Sequence, residues 1–170
     1  MKNFFLTLLA LFCLSSTWAS AQKKPNVIII YTDDQATLDV NVLGAKDLVS
    51  PHMDQLLLSG TTFTQFYASP VCSPSRASLL TGKNPQRAGV PGNAGQDLSR
   101  KSGLPPSEYT MAEMFKDNGY STYLIGKWHL GYQPEMRPNQ QGFDYSFGHL
   151  VGCIDNYSHF YYWGGDNNYV

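Results

Sequence analysis

The chain has 170 residues, 42% of them hydrophobic, and a formal net charge of -1. That is enough to bury the core of one domain and too short to suggest two. A near-neutral balance with no basic run argues against nucleic acid as a partner and against a charged patch for a membrane surface.

The first residues read as a targeting segment. Lys2 supplies the positive end, "FFLTLLALFCL" the apolar stretch, and Ala19 to Ala21 a small-x-small cleavage site. The stretch is short and wrongly flanked for a membrane span. Cys13 lacks the small residues expected ahead of a lipidated cysteine. Residues 1–21 are therefore expected to be a cleaved secretory signal and residues 22–170 the mature domain. That domain would be secreted or periplasmic, with no stable membrane insertion; an uncleaved anchor is the alternative. Export favours disulfides, and Cys72 and Cys153 are the cysteines left in the mature chain.

"PNVIIIYTDD" opens the mature domain. Val27 to Ile30 is an unbroken β-branched run, suited to a strand buried on both faces of a parallel sheet, ending at Asp33 and Asp34. "SPHMDQLLLSG" predicts a helix with Ser50 as its cap, Pro51 in the first turn and Gly60 as its stop. "TTFTQFYA" has strand composition. In "SPSRASLLTG" Ser73 caps, Pro74 starts and Gly82 closes a second helix, which puts Cys72 just ahead of its N-terminus. "GQDLSRKSGLPPSE" is a polar loop. "TMAEMFKDNG" carries a capping box, Thr110 with Glu113, and a glycine stop. "YSTYLIG" is a strand running into "KWHLG".

Strands and helices in alternation imply an α/β domain with a mainly parallel sheet, whose sites form at the carboxyl ends of its strands. Asp33, Asp34, Lys127 and His129 would follow such ends, and Cys72 would head a helix after one. Adjacent carboxylates suit a hard divalent cation, or serve as ordinary turn residues. A thiol at a helix N-terminus lies where negative charge is favoured. It can also be half of a disulfide, or simply fill space. Arg76, one turn on, can face the same point and fork to an oxyanion, or lie solvated. Lys127 and His129 would point the same way on an extended chain, or be an exposed lysine and a core histidine.

These stretches together resemble the sulfatase family. "CSPSRASLLTG" from Cys72 to Gly82 matches its C-x-P-x-R signature followed by L-T-G, and "GKWHLG" from Gly126 to Gly131 its second signature. "NVIIIYTDD" resembles the family's opening metal-binding strand, and "NQQGFDYSFG" the stretch after the second signature. The resemblance implies an alkaline-phosphatase-like α/β/α sandwich and a sulfuric ester hydrolase. It implies that Cys72 is converted to formylglycine by a formylglycine-generating enzyme that reads Pro74 and Arg76. Asp33, Asp34 and the modified residue 72 would bind one divalent ion, usually Ca2+. Arg76 and Lys127 would hold the modified side chain, and His129 would hydrogen-bond its hydroxyl.

The implied mechanism uses both hydroxyls of the hydrated aldehyde. One attacks the ester sulfur of a sulfated small molecule or glycan, and the alcohol leaves. The other loses its proton, to His129, and sulfate departs as the aldehyde re-forms. A serine could perform only the first half.

The chain departs from the family by ending at Val170. A later Asp-Asn metal pair and a later lysine and histidine have no match, so the domain is expected to be incomplete and the chain by itself inactive, with an unpaired sheet edge. Asp155-Asn156 is read as a turn. Cys153, His149 and His159 match no catalytic position, and the aromatic tail "NYSHFYYWGG" is assigned to the core. A phosphoester hydrolase of the related fold and a non-catalytic exported binding protein are the competing classes.

Overall fold

The computed structural model describes residues 23–95 and 102–158. The expected signal at residues 1–21, His159 and most of the aromatic tail lie outside the described residues. The chain divides into two units, Met1–Ala36 and Thr37–Val170.

In the first unit the described residues carry no helix or strand and bend at Asp33 and Asp34. The buried central strand expected over Val27–Ile30 is not formed. Among the described residues this run joins no ladder, and its four side chains are between 48% and 84% exposed. β-branched composition is a preference for a pleated, packed surface, and without a neighbouring strand it produces only extended chain. Accordingly Asp33 and Asp34 do not follow a strand end, contrary to expectation.

In the second unit, short 3-10 turns at Thr37–Asp39 and Asn41–Leu43 lead to helix α1, Pro51–Ser59. Pro51 occupies its first turn as expected. Ser50 precedes it without capping it, because its Oγ accepts from Asn41 N at 2.9 Å and donates to Asp54 Oδ1 at 3.2 Å. "TTFTQFYA" forms no strand either. Phe63, Phe66 and Tyr67 in it are largely exposed, and Cys72 therefore heads a helix that no strand precedes.

Helix α2 spans Cys72–Thr81, with Val71 at its cap position. Its start corrects the expected one: Cys72 is the first helical residue, and Ser73 is helical rather than the cap. Proline still falls in the first turn, where no intrahelical donor is lost. Gly82 ends the helix at φ 65°, its N–H on Ser78 O at 2.9 Å.

Helix α3, Met111–Asp117, has the expected capping box: Thr110 Oγ1 accepts from Glu113 N at 3.1 Å, and Glu113 Oε2 accepts from Thr110 N at 2.7 Å. Strand β1, Tyr123–Lys127, then pairs in parallel with β2, Tyr145–His149, in the register Tyr123 to Tyr145 through Lys127 to His149. A parallel pair needs a crossover, here through 3-10 turns at Pro134–Met136 and Pro138–Gln140. Thr122 fixes the register at one end, its N–H on Asp144 Oδ2 at 3.0 Å and its carbonyl taking Asp144 N at 3.0 Å. At the other end Trp128 N donates to His149 O at 2.9 Å and His129 N to Leu150 O at 3.2 Å, so the pairing outlasts the strands.

The core gathers where α2, α3 and the chain after β1 meet. Ala77 and Leu80 come from α2, Ala112 from α3, and Trp128 and Leu130 follow β1. Trp128 meets Phe143 edge-on, with centroids 6.0 Å apart, and its indole N–H reaches Met136 O at 3.0 Å. This packing holds the N-terminus of α2 against the C-terminal end of β1. Among the described residues no helix is long and apolar enough to cross a membrane.

Candidate active site

Cys72 is half-buried in the first turn of α2, and Lys127 is the last residue of β1. The Lys127 ammonium donates to Cys72 Sγ at 3.2 Å. Cys72 and Cys153 are both free thiols, so of the open choices for Cys72 the structure shows a thiol beside an amine and not a disulfide with Cys153.

Arg76 stands one turn along α2 and donates through Nη1 to the carbonyl of Lys127 at 2.5 Å. Its guanidinium thus joins helix to strand at the residue whose ammonium reaches the sulfur. The expected convergence of Cys72, Arg76 and Lys127 is realised by direct hydrogen bonds.

His129 is brought to the same place by its backbone. It is 6% exposed and sits at φ 53°, so the chain after Lys127 is not extended and the expected common direction of the two side chains does not hold. A non-glycine residue in that region is strained and persists where its surroundings over-determine it. Ser73, fully buried, supplies one restraint, donating from Oγ to His129 O at 2.6 Å while accepting from Ala94 N at 2.9 Å. Its own N–H is taken by Asn93 Oδ1 at 3.1 Å. Sequence reasoning assigned Ser73 to a cap and passed over Asn93. The only local signal was a hydroxyl next to the cysteine, and nothing in the sequence pairs residues 73 and 129.

Asp33 and Asp34 belong to the first unit. Both are exposed, and Asp34 adopts φ 51°, a conformation Asp tolerates better than most residues. Among the described residues no three His, Cys, Asp or Glu side chains gather into a metal-holding cluster. As a donor set the two carboxylates suit a hard divalent ion and amount to part of the six to eight oxygens calcium takes.

Of the aromatic stretch assigned to the core, Tyr157 is instead 98% exposed, in a turn where it has nothing to pack against among the described residues. His149 Nδ1 lies 2.9 Å from Val151 O. Asp155 Oδ1 accepts from Tyr157 N at 2.9 Å and Ser158 N at 2.7 Å, which makes it a turn residue.

Comparison with known proteins identifies the family. The family model described as Sulfatase matches residues 25–169. Human arylsulfatase G is 41% identical over 162 residues, covering 91% of this chain and 30% of that protein. Mouse N-acetylgalactosamine-6-sulfatase is 38% identical, covering 83% of this chain and 28% of its own length. The crystal structure of Ps i-CgsB superposes with a TM-score of 0.74 at 38% identity, over 78% of this chain and 30% of that one. The chain thus spans about 30% of the length of the curated relatives it matches. Its parallel strand pair and flanking helices are part of the alkaline-phosphatase-like α/β fold of the solved sulfatases. By this match over most of its length, the chain belongs to the sulfatase family.

Proposed function

We propose that this chain belongs to a sulfuric ester hydrolase whose reactive group is a formylglycine made from Cys72. The observation that carries the reading is the contact between Lys127 Nζ and Cys72 Sγ, 3.2 Å long, at a helix N-terminus and beside Arg76. When formed, the hydrated aldehyde supplies two hydroxyls on one carbon, one to take the sulfuryl group and one to release it.

The chain's own residues have definable parts. Lys127 donates to whichever heteroatom residue 72 carries and stabilises negative charge on it. Arg76 keeps Lys127 in reach through its carbonyl and adds a second fixed cation. His129, buried and held by its backbone, is the residue assigned to accept the proton released as sulfate leaves. Asp33 and Asp34, with the modified residue 72, are the ligands proposed for one Ca2+, which would raise the acidity of the hydroxyl bound to it.

Names of relatives support the substrate class. An arylsulfatase and an N-acetylgalactosamine-6-sulfatase point to aryl sulfates and to sulfate esters of sugars, and a sulfated carbohydrate suits an exported protein. Pro74 and Arg76 would be the residues that a formylglycine-generating enzyme reads, and residues 1–21 would direct the chain to the periplasm or outside the cell. The test is turnover of an aryl sulfate, then of a panel of sulfated sugars, by the protein co-expressed with that enzyme. Cys72→Ala should abolish it. Turnover that survives this substitution contradicts the proposal.

A further inference from the structure

The segment after β2 was assigned no part in the chemistry, yet it lies against the His129 ring. Trp128 N and His129 N donate to His149 O and Leu150 O at 2.9 and 3.2 Å, so the 149–152 backbone is in register with the 127–129 backbone. Val151, next along, is 2% exposed, which fixes the segment in the core. Gly152 follows, and a Cβ built on it would stand 2.6 Å from His129 Cε1, 2.7 Å from Nε2 and 3.2 Å from Nδ1. Real Cβ atoms do not approach that closely. An added Cβ would force the buried imidazole or the backbone to shift.

We propose that Gly152 is a positioning residue for His129: its missing side chain lets the 149–152 backbone close on the imidazole and fix where the ring sits. Three restraints then over-determine a strained residue: Ser73 Oγ on its carbonyl, Leu150 O on its N–H, and Gly152 against its ring. Its φ lies outside the left-handed region that favours glycine, so backbone conformation does not require this residue at 152.

The inference rests on the proposed role of His129, and the experiment separates the two. Gly152→Ala is compared with Gly92→Ala, a control site where an added Cβ meets nothing within 4 Å. The first readout is the His129 ring resonance in the unmodified full chain, assigned by substituting each of the four histidines. The second is kcat and KM for an aryl sulfate in the formylglycine form. Gly152→Ala should displace the ring resonance and lower kcat by about 10²-fold, the cost typical of an ångström of misplacement, with KM little changed. An unmoved resonance, or a kcat equal to that of the control, overturns the inference. If Gly152→Ala fails to fold, His129→Ala in the same chain should restore folding by removing the clash, and failure to restore it likewise overturns the inference. Turnover is read in a chain extended to the length of a whole sulfatase; absence of turnover there counts against the proposed function alone, and the ring resonance then decides the role of Gly152.

Discussion

Residues 23–36 and residues 72–152 were expected to meet the same demand, that of bringing polar groups to a sheet rim, and they meet it differently. The earlier stretch presents four β-branched side chains and two carboxylates, nearly all exposed and without a ladder among the described residues. The later one buries Ser73, Trp128 and His129 and ties α2 to β1 by hydrogen bonds spanning more than fifty residues of sequence. Composition alone therefore does not build a site. Partners do, and in the later region they lie within the chain.

The largest effect expected on stability comes from Ser73→Ala. It leaves His129 O and Ala94 N without their partner inside the protein, at a cost of about 1–3 kcal/mol for each buried group left unsatisfied. Urea unfolding measures it. A cost near zero would mean that the later region is not held by these bonds, and the contrast would break.

Next is Thr110→Ala, which removes the side-chain half of the capping box and should cost about 1 kcal/mol. This box also shows which features were legible. Caps, glycine stops and first-turn prolines act over four residues, so α1, α3 and the end of α2 are readable from the sequence. The start of α2 was misplaced by one residue because Ser73, a good cap by type, spends its hydroxyl on residues 94 and 129 instead. Strand β2 was missed because Tyr-Ser-Phe-Gly-His has neither a β-branched residue nor a continuous apolar run, and its pairing depends on Thr122 and Asp144, twenty-two residues apart in sequence. Val27–Ile30 failed in the opposite sense: strong local preference, no partner. At the candidate site, Cys72, Arg76 and Lys127, which hydrogen bonds bring together, carry a readable motif, whereas the bonds of Ser73 to Asn93 and His129 follow only from tertiary proximity.

The pH dependence of the later region has a definite sign. The hydrogen bond from Lys116, and then the Thr122 backbone, hold the Asp144 carboxyl below its ordinary range. A depressed folded-state value means stability present above the unfolded value, about 3.9, and lost as pH falls through the folded one. The urea midpoint should therefore fall on acidification below about pH 4, and Asp144→Asn should flatten that decline.

The smallest effect sharpens the comparison. Ile28 is 84% exposed, so Ile28→Ala should change stability by no more than about 0.5 kcal/mol. A loss of several kcal/mol would show the opening run to be buried against something, and the two regions would then be alike.

The central claim, that position 72 is a reactive carbonyl in waiting, is tested most directly by the mass of the peptide containing residues 72–76. Isolated from the full chain made alongside a formylglycine-generating enzyme, it should be lighter by about 18 Da than the unmodified thiol peptide, because a CH2–SH side chain becomes CHO with loss of sulfur, unlike the sulfur-retaining, heavier products of ordinary cysteine oxidation. A peptide that keeps the full mass of its thiol under those conditions would contradict the account.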